Sequence, residues 1–251
     1  MLNKVLFDDG SHKCVVLARD PEKPGDVIDT NEYVIISNSE AILLDPGGTE
    51  IFPTVLREVA KMIGLSQIKA FFASHQDPDV FSSMPLWMGL CPQAKLYMPW
   101  LWKGFLAHFG YEFINQFNTL PDEGGTVPIG SRGRDLLVVP AHFAHSPGNF
   151  SIYDPTSKII FSGDIGAGLI PPDHGLFVED FTAHVDTMLF FHQRWMPSTK
   201  HKNNWIARVR KLDVKMIAPQ HGAIFRDEQV GQFLDWLESI EVGKHSALLP
   251  L

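Results

Sequence analysis

The chain has little of several features that would point to a particular class of protein. Of its 251 residues only two are cysteines, Cys14 and Cys91, so the sequence supports neither a disulfide framework nor a thiolate zinc cluster. No stretch approaches the roughly 20 consecutive apolar residues of a membrane helix. The N-terminal sequence MLNKVLFDDGSHK becomes acidic too early for a secretory signal. These absences predict a cytoplasmic protein without membrane insertion.

Basic residues are also in deficit, with 21 Lys and Arg against 29 Asp and Glu and a formal net charge of −8. Proteins that bind nucleic acid usually carry a basic surface, so we expect no nucleic-acid partner. The sequence has no repeat period and no low-complexity linker, while its 45% hydrophobic and 20% charged residues are typical of folded proteins. Only 30 residues follow His221, too few for a further domain. We therefore predict one domain over residues 1–251.

What the sequence does contain is a set of short apolar runs, rich in β-branched and aromatic residues, that break into polar or Gly/Pro segments. Four of them read as buried strands: residues 68–74 (IKAFFAS), 135–140 (DLLVVP), 158–162 (KIIFS) and 214–219 (VKMIAP). A hairpin is predicted over residues 32–36 and 41–44. Helices are predicted over 51–65, with Thr49 as cap, and over 99–117, 204–211 and 228–241. Strands interspersed with helices favour a layered α/β fold.

A histidine or an aspartate follows each of these four strands. The first strand leads into His75, Asp77 and Asp79, the second into a loop with His142 and His145, the third into Asp164 and the fourth into His221. Because α/β folds build their sites at strand ends, we expect these side chains to gather at one edge. Pro78 argues against a continuing helix here, and in an extended segment alternate residues face the same side. We therefore expect His75, Asp77 and Asp79 to face one point together.

Imidazole and carboxylate groups are the usual ligands of iron, manganese and zinc. The predicted metal ligands are His75, Asp77, Asp79, His145, Asp164 and His221. Six ligands are too many for one tetrahedral ion and suit two. We assign four ligands to the first ion: His75, Asp77, His145 and Asp164. The second ion is assigned Asp79, His221 and the other oxygen of Asp164. Asp164 would then bridge the ions, and the second ion would keep open positions for a small molecule.

Taken singly, a histidine or aspartate after a strand is more often a cap or turn residue than a ligand, and only the combination favours metal. His142 lies in the same loop as His145 and competes with it. Asp45 is expected to brace the loop beneath the metal. The remaining histidines are expected to be surface or core residues: His12, His108, His174, His184, His192, His201 and His245.

The order of these motifs along the chain resembles that of the metallo-β-lactamase superfamily. The motifs are the LLDPGG segment at 43–48, the His75 cluster, His145, Asp164 and His221. The resemblance implies a four-layer αββα sandwich. Hydrolases of that superfamily usually carry His-x-His-x-Asp-His, whereas this chain has Asp77 in place of the second histidine and Val80 in place of the last. A carboxylate at position 77 shifts the preference from zinc towards iron or manganese.

Three features resemble the diiron domain of flavodiiron proteins: Asp77, the HSPGNF segment at 145–150 and the FSGD segment at 161–164. Residues 177–200 are similar to stand-alone oxygen-binding diiron proteins. The HSPG match favours His145 over His142. The resemblance implies two iron ions, with zinc or manganese as alternatives. Flavodiiron proteins continue into a flavodoxin-like domain, but the 30 residues after His221 are too few for one, so we expect no flavodoxin domain and no FMN in this chain.

The function implied is dioxygen binding, with the chain acting as an oxygen sensor. Two alternatives remain: a metal-dependent hydrolase of an ester, lactone or thioester, and an oxygen or nitric oxide reductase that uses an external electron donor. The expected partners are dioxygen and a signalling or redox protein, and a homodimer is a further possibility.

Overall fold

The computed structural model describes residues 1–18, 27–171 and 174–244, so the predicted role of His245 lies outside the described residues. The chain divides into two compact units, Met1–Val138 and Val139–Leu251. Among the described residues, none of the helices combines the length and apolar character that crossing a membrane requires.

The first unit is built on a seven-stranded sheet whose strands follow one another in sequence order. Its strands are β1 (Leu2–Asp8), β2 (His12–Ala18), β3 (Asn31–Ser37), β4 (Glu40–Leu44), β5 (Ile68–Phe72), β6 (Lys95–Pro99) and β7 (Phe117–Leu120), and a further strand is β8 (Gly125–Pro128). Its α-helices are α1 (Phe52–Met62), α2 (Pro78–Phe81), α3 (Met84–Leu90) and α4 (Lys103–Leu106). β1 to β4 pair antiparallel, and β4 to β7 pair parallel. The parallel pairing of β4 with β5 brings the ends of both strands to one edge of the sheet.

Apolar side chains of the sheet and of α1 and α3 form the core of this unit. Trp87 of α3 is fully buried, and its ring packs against Phe52 and Phe71 at centroid distances of 5.1 and 5.9 Å. Cys14 of β2 and Cys91, directly after α3, are completely buried as well. Burial raises the pKa of the Cys91 thiol to about 11.

The second unit contains the remaining strands and helices, and its boundary with the first falls inside β9 (Asp135–Pro140). The other elements are β10 (Phe150–Asp154), β11 (Ile159–Gly163), β12 (Met216–Pro219), β13 (Phe225–Arg226), α5 (Phe181–Trp195), α6 (Thr199–Val209) and α7 (Glu228–Ser239). The second sheet has the strand order β13-β12-β11-β10-β9-β8. β11 and β12 pair parallel, so the residues that follow these two strands also emerge at one edge.

Two helices of the second unit are fixed by buried polar groups as well as by apolar packing. α5 buries residues 184, 188, 191 and 192, which form one helical stripe. In α6, the side chain of Lys202 is completely buried, and its Nζ donates hydrogen bonds to the carbonyl oxygens of Leu237, Glu238 and Ile240 at 2.6 to 3.0 Å. This lysine therefore caps the C-terminal end of α7, where helix carbonyls lack partners within the helix. Burial lowers its pKa.

The predicted strands are present within one or two residues of their expected bounds, but three local predictions are wrong. α1 has Ile51 rather than Thr49 at its N-cap position. Residues 100–116 form several short helical segments instead of one helix. Residues 78–81 form the short helix α2, because a proline is tolerated in the first turn, where its missing N–H has no helical partner in any case.

Candidate metal centre

In the first unit, the predicted ligand His75 lies just beyond β5, next to the end of β4. The Asp45 amide donates to the Phe72 carbonyl at 2.9 Å, and the Asp45 carboxylate accepts from the Ser74 amide at 2.7 Å. The side chain of Asp45 therefore holds the loop that carries His75, as predicted. The Ser74 hydroxyl lies 2.8 Å from Nδ1 of the buried His75. This contact orients the ring and leaves Nε2 as the nitrogen that could hold a metal ion, an arrangement common among metal-ligating histidines.

Asp77 faces His75, with its Oδ2 atom 3.6 Å from His75 Nε2, while its Oδ1 atom accepts a hydrogen bond of 2.8 Å from the side-chain amide of Gln76. Asp77 is extended and occupies the N-cap position of α2. Asp79 belongs to the first turn of α2 and is partly buried. The expected extended alternation therefore holds for His75 and Asp77 but ends at Pro78. A helical Asp79 no longer follows the i, i+2 geometry.

In the second unit, Asp164 and His221 follow the parallel strands β11 and β12. The Gln220 amide donates to the Gly163 carbonyl at 2.8 Å, which continues the pairing to the edge of the sheet. His221 Nε2 lies 3.5 Å from Asp164 Oδ1. The third member of this group, His145, has its Nε2 atom 3.4 Å from Asp164 Oδ2. The carboxylate thus offers one oxygen to each of two imidazoles, and all three side chains are buried.

His145 comes from the loop after β9, the same loop that carries its competitor His142. An amide of this loop, that of Ala141, donates to the Asn149 carbonyl at 3.0 Å and closes the loop at its base. The His142 ring stands edge-on against Phe150, with 5.0 Å between ring centroids, whereas the His145 ring is directed to Asp164. This geometry favours His145 as the ligand.

The separations between these ligand atoms fit metal coordination better than direct hydrogen bonding. N–H···O hydrogen bonds are usually 2.7 to 3.2 Å long, whereas the three His–Asp separations are 3.4 to 3.6 Å. Two ligand atoms that each lie about 2.1 Å from one tetrahedral ion are about 3.4 Å apart. The donor set of neutral imidazoles and carboxylates therefore fits iron or another first-row divalent ion in both chemistry and spacing.

Helix α5 supplies three neighbours of the His145–Asp164 pair that the sequence analysis did not identify. The Phe191 ring stacks on the His145 ring with 5.9 Å between centroids and an interplanar angle of 4°, and Trp195 lies 5.9 Å from the same ring. His192 is completely buried and accepts a hydrogen bond of 2.9 Å from the Gly166 amide through Nε2. His192 was expected to be a surface or core residue, and it is a core residue. Its only signal was that it falls within the segment 177–200 that resembles oxygen-binding diiron proteins.

Close backbone packing also fixes the loops that carry Asp164 and His221. Gly222 has φ +85°, and a Cβ at this position would lie 2.7 Å from the Gly168 amide nitrogen. The Gly168 amide in turn donates to the His221 carbonyl at 3.3 Å. Glycine is therefore required at position 222 both for its backbone conformation and for the approach of the two loops.

Comparison with known proteins assigns the chain to a family. Residues 28–222 match the family described as ODP family beta lactamase. The chain belongs to this family. A solved structure described as the peroxy diiron species of chemotaxis sensor ODP superposes with a TM-score of 0.86 and 40% identity, covering 97% of each chain. The fold class predicted from the sequence, the metallo-β-lactamase-like α/β fold, is therefore confirmed for this ODP-family chain.

Curated relatives are more distant and longer. A putative diflavin flavoprotein A 4 of Synechocystis is 26% identical over 78% of this chain and 33% of its own length. An anaerobic nitric oxide reductase flavorubredoxin of Aliivibrio salmonicida is 23% identical over 84% of this chain and 43% of its own length. The ODP-family chain thus spans between a third and less than half of the length of these two relatives. Their similarity confirms the resemblance to flavodiiron proteins that was predicted from the sequence.

Proposed function

We propose that the chain binds two iron ions through His75, Asp77, Asp79, His145, Asp164 and His221, binds dioxygen there, and serves as a cytoplasmic oxygen sensor. The observation that carries the proposal is the 40% identity, over 97% of both chains, with a chemotaxis sensor whose structure is described as a peroxy diiron species. The partner of such a sensor would be a signalling protein that responds to the state of the centre.

The donor set supports iron as the resident metal. Three carboxylates among six ligands make the site harder than the histidine-rich sites of zinc hydrolases. Asp164, with one oxygen near each of two imidazoles, has the geometry of a bridging ligand that would offset the repulsion between two cations. When bound, the two ions would supply a redox-active position for dioxygen.

The protein's own side chains orient this site and limit the access of water. Ser74 fixes the His75 ring through Nδ1, and Phe191 fixes the His145 ring by stacking. Trp195 lies beside the same ring and is 54% exposed, so it forms the solvent side of this aromatic pair. An apolar wall of this kind restricts the delivery of water and protons, which favours binding over complete reduction.

A second candidate function is the reduction of dioxygen or nitric oxide with electrons from a separate donor protein. It is supported by the similarity to a nitric oxide reductase flavorubredoxin and to a diflavin flavoprotein. The two candidates share the metal site and differ in whether electrons arrive faster than dioxygen leaves.

The test is anaerobic loading with ferrous ions, determination of iron per chain, and addition of one equivalent of dioxygen while the visible spectrum is followed. Two irons per chain and a new band that persists for minutes support the sensor. Rapid, repeated dioxygen or nitric oxide consumption with an added reductant and electron carrier supports the reductase.

Failure to bind two irons, or the absence of any reaction of the loaded protein with dioxygen, contradicts both redox functions. A panel of model esters, lactones and thioesters assayed on zinc-loaded protein then tests the hydrolase alternative.

A further inference from the structure

His192 is held between two backbone groups inside the second unit. Its Nδ1 lies 2.9 Å from the Met188 carbonyl, and its Nε2 accepts the Gly166 amide at 2.9 Å. These contacts define a neutral ring with the proton on Nδ1, because a carbonyl only accepts and an amide only donates. The side chain is completely buried, with Phe233 and Trp236 of α7 against it. Two hydrogen bonds and two aromatic contacts thus fix the position of the His192 ring.

The amide that His192 accepts belongs to the turn that carries Asp164. This turn is closed by hydrogen bonds from Ile165 N to the Ser162 carbonyl and from Ala167 N to the Asp164 carbonyl, at 3.3 and 3.1 Å. Gly166 has φ +99°, a conformation that L side chains rarely adopt, and its amide points away from the turn towards His192. His192 therefore anchors the turn from outside, two residues beyond Asp164.

Two adjacent residues of α5 contact the two halves of the His145–Asp164 pair. Phe191 stacks on His145, and His192 holds the turn of Asp164, while His145 Nε2 and Asp164 Oδ2 lie 3.4 Å apart. An apolar residue of similar size at position 192 would fill the same space. It would leave the Gly166 amide without this acceptor, and a buried amide that loses its hydrogen bond destabilises the turn.

We propose that His192 is a positioning residue for Asp164, and that its hydrogen bond to the Gly166 amide fixes the turn that directs the two carboxylate oxygens at His145 and His221. The inference rests on the proposed function, since it takes Asp164 to be an iron ligand. His192 itself touches neither iron nor dioxygen in this scheme. Its contribution is to keep the bridging carboxylate in place before the metal arrives.

The test compares ferrous ion binding by His192→Phe, His192→Gln and a stability control, Lys202→Met. Phenylalanine keeps the ring volume without an acceptor, whereas the glutamine amide can accept from Gly166 and donate to Met188. Lys202→Met removes a buried polar group of the same unit that is bonded to α7 and not to the Asp164 turn. Groups that orient metal ligands typically change metal affinity 10- to 100-fold.

We expect His192→Phe to weaken ferrous ion binding at least tenfold, His192→Gln to restore most of it, and Lys202→Met to lower the melting temperature without a comparable loss of affinity. Wild-type affinity in His192→Phe, or an equal loss in Lys202→Met, would overturn the proposal. If the wild-type protein itself fails to hold two irons, the proposed function fails instead.

A measurement on the wild-type protein covers the case in which His192→Phe does not fold. Amide hydrogen exchange is followed with and without zinc as a diamagnetic metal probe. We expect the Gly166 amide to be strongly protected in the metal-free protein and to exchange still more slowly with zinc bound. Fast exchange of this amide in the metal-free protein contradicts the anchoring role whatever the metal affinity.

Discussion

The two groups of predicted ligands are built in different ways. In the first unit, His75, Asp77 and Asp79 lie within five residues, and their support comes from the adjacent Ser74 and from Asp45, which directly follows the neighbouring strand β4. In the second unit, His145, Asp164 and His221 come from three separate strand ends, and helix α5, which follows Asp164 by 17 to 31 residues, supports the first two of them. A local group can be held by its own loop, whereas a dispersed group needs a common backing element. The second group should therefore be more sensitive to substitutions remote from the ligands.

The largest expected difference concerns the proposed ligands Asp164 and Asp79. Asp164→Ala should abolish binding of both ions, because one carboxylate serves two histidines, whereas Asp79→Ala should remove one ion. Iron per chain after anaerobic loading and desalting measures both effects. Asp186→Ala, an exposed aspartate of α5, is the matched control and should keep two irons. Two irons in Asp164→Ala would disprove the bridging assignment.

The next effect concerns the pH dependence of stability through His192. Burial lowers the pKa of His192 to about 4, while the charges of Asp164, His145 and Lys202 act on it in opposing directions. The unfolded chain, with a histidine pKa near 6.5, binds the proton first as the pH falls. The contribution of His192 to stability is therefore complete above pH 6.5 and is lost progressively down to about pH 4, by up to about 3 kcal/mol.

Urea unfolding of metal-free wild type and His192→Phe at pH 7.5 and 5 isolates this contribution, because the other titrating groups are common to both proteins. Between pH 7.5 and pH 5, the free energy of unfolding should decrease more in the wild type than in His192→Phe. Equal slopes would show that His192 is not kept neutral by burial.

A smaller effect is expected at Gly222, where the loops of Asp164 and His221 meet. Gly222→Ala should destabilise the protein by about 2 kcal/mol, because the added Cβ meets the Gly168 backbone and the backbone φ is positive. Thermal unfolding of the metal-free protein measures the loss. The control is Gly231→Ala in α7, where a Cβ meets nothing within 4 Å and alanine favours the helix by about 0.5–1 kcal/mol. A stable Gly222→Ala would contradict the close loop approach.

The smallest effect is expected in the local group of the first unit. Ser74→Ala removes the hydroxyl beside His75 Nδ1 and should weaken ferrous ion binding about tenfold, with little change in unfolding temperature. Ser239→Ala, which removes a hydroxyl at the end of α7, should leave the affinity unchanged. If Ser74→Ala weakens binding more than His192→Phe, the local group is the more fragile one and the comparison is reversed.

Strands β3, β4, β5, β9, β11 and β12 could be predicted from the sequence, because an apolar run that ends in polar residues is a local pattern. The other strands of the described residues and helix α5 were not predicted. β9 has the predicted bounds, and Asp45 braces the His75 loop as expected. The helical state of residues 78–81 was missed because Pro78 both breaks and starts helices, and the sequence alone does not distinguish the two cases. His192 is a core residue, as the expectation allowed, but its hydrogen bond was not predicted, because the partner is a backbone amide 26 residues away and residue type does not reveal backbone partners.

The two buried cysteines make the protein resistant to thiol-directed reagents. Peroxide and alkylating reagents attack the thiolate, and Cys91, buried with a pKa of about 11, offers almost none of it at neutral pH, while Cys14 is equally enclosed. Both native thiols are thus kept away from oxidants. For the experimenter, a cysteine introduced at an exposed site such as Lys200 would be the one fast target for a fluorescent label. A reporter can then be attached without first replacing the native residues.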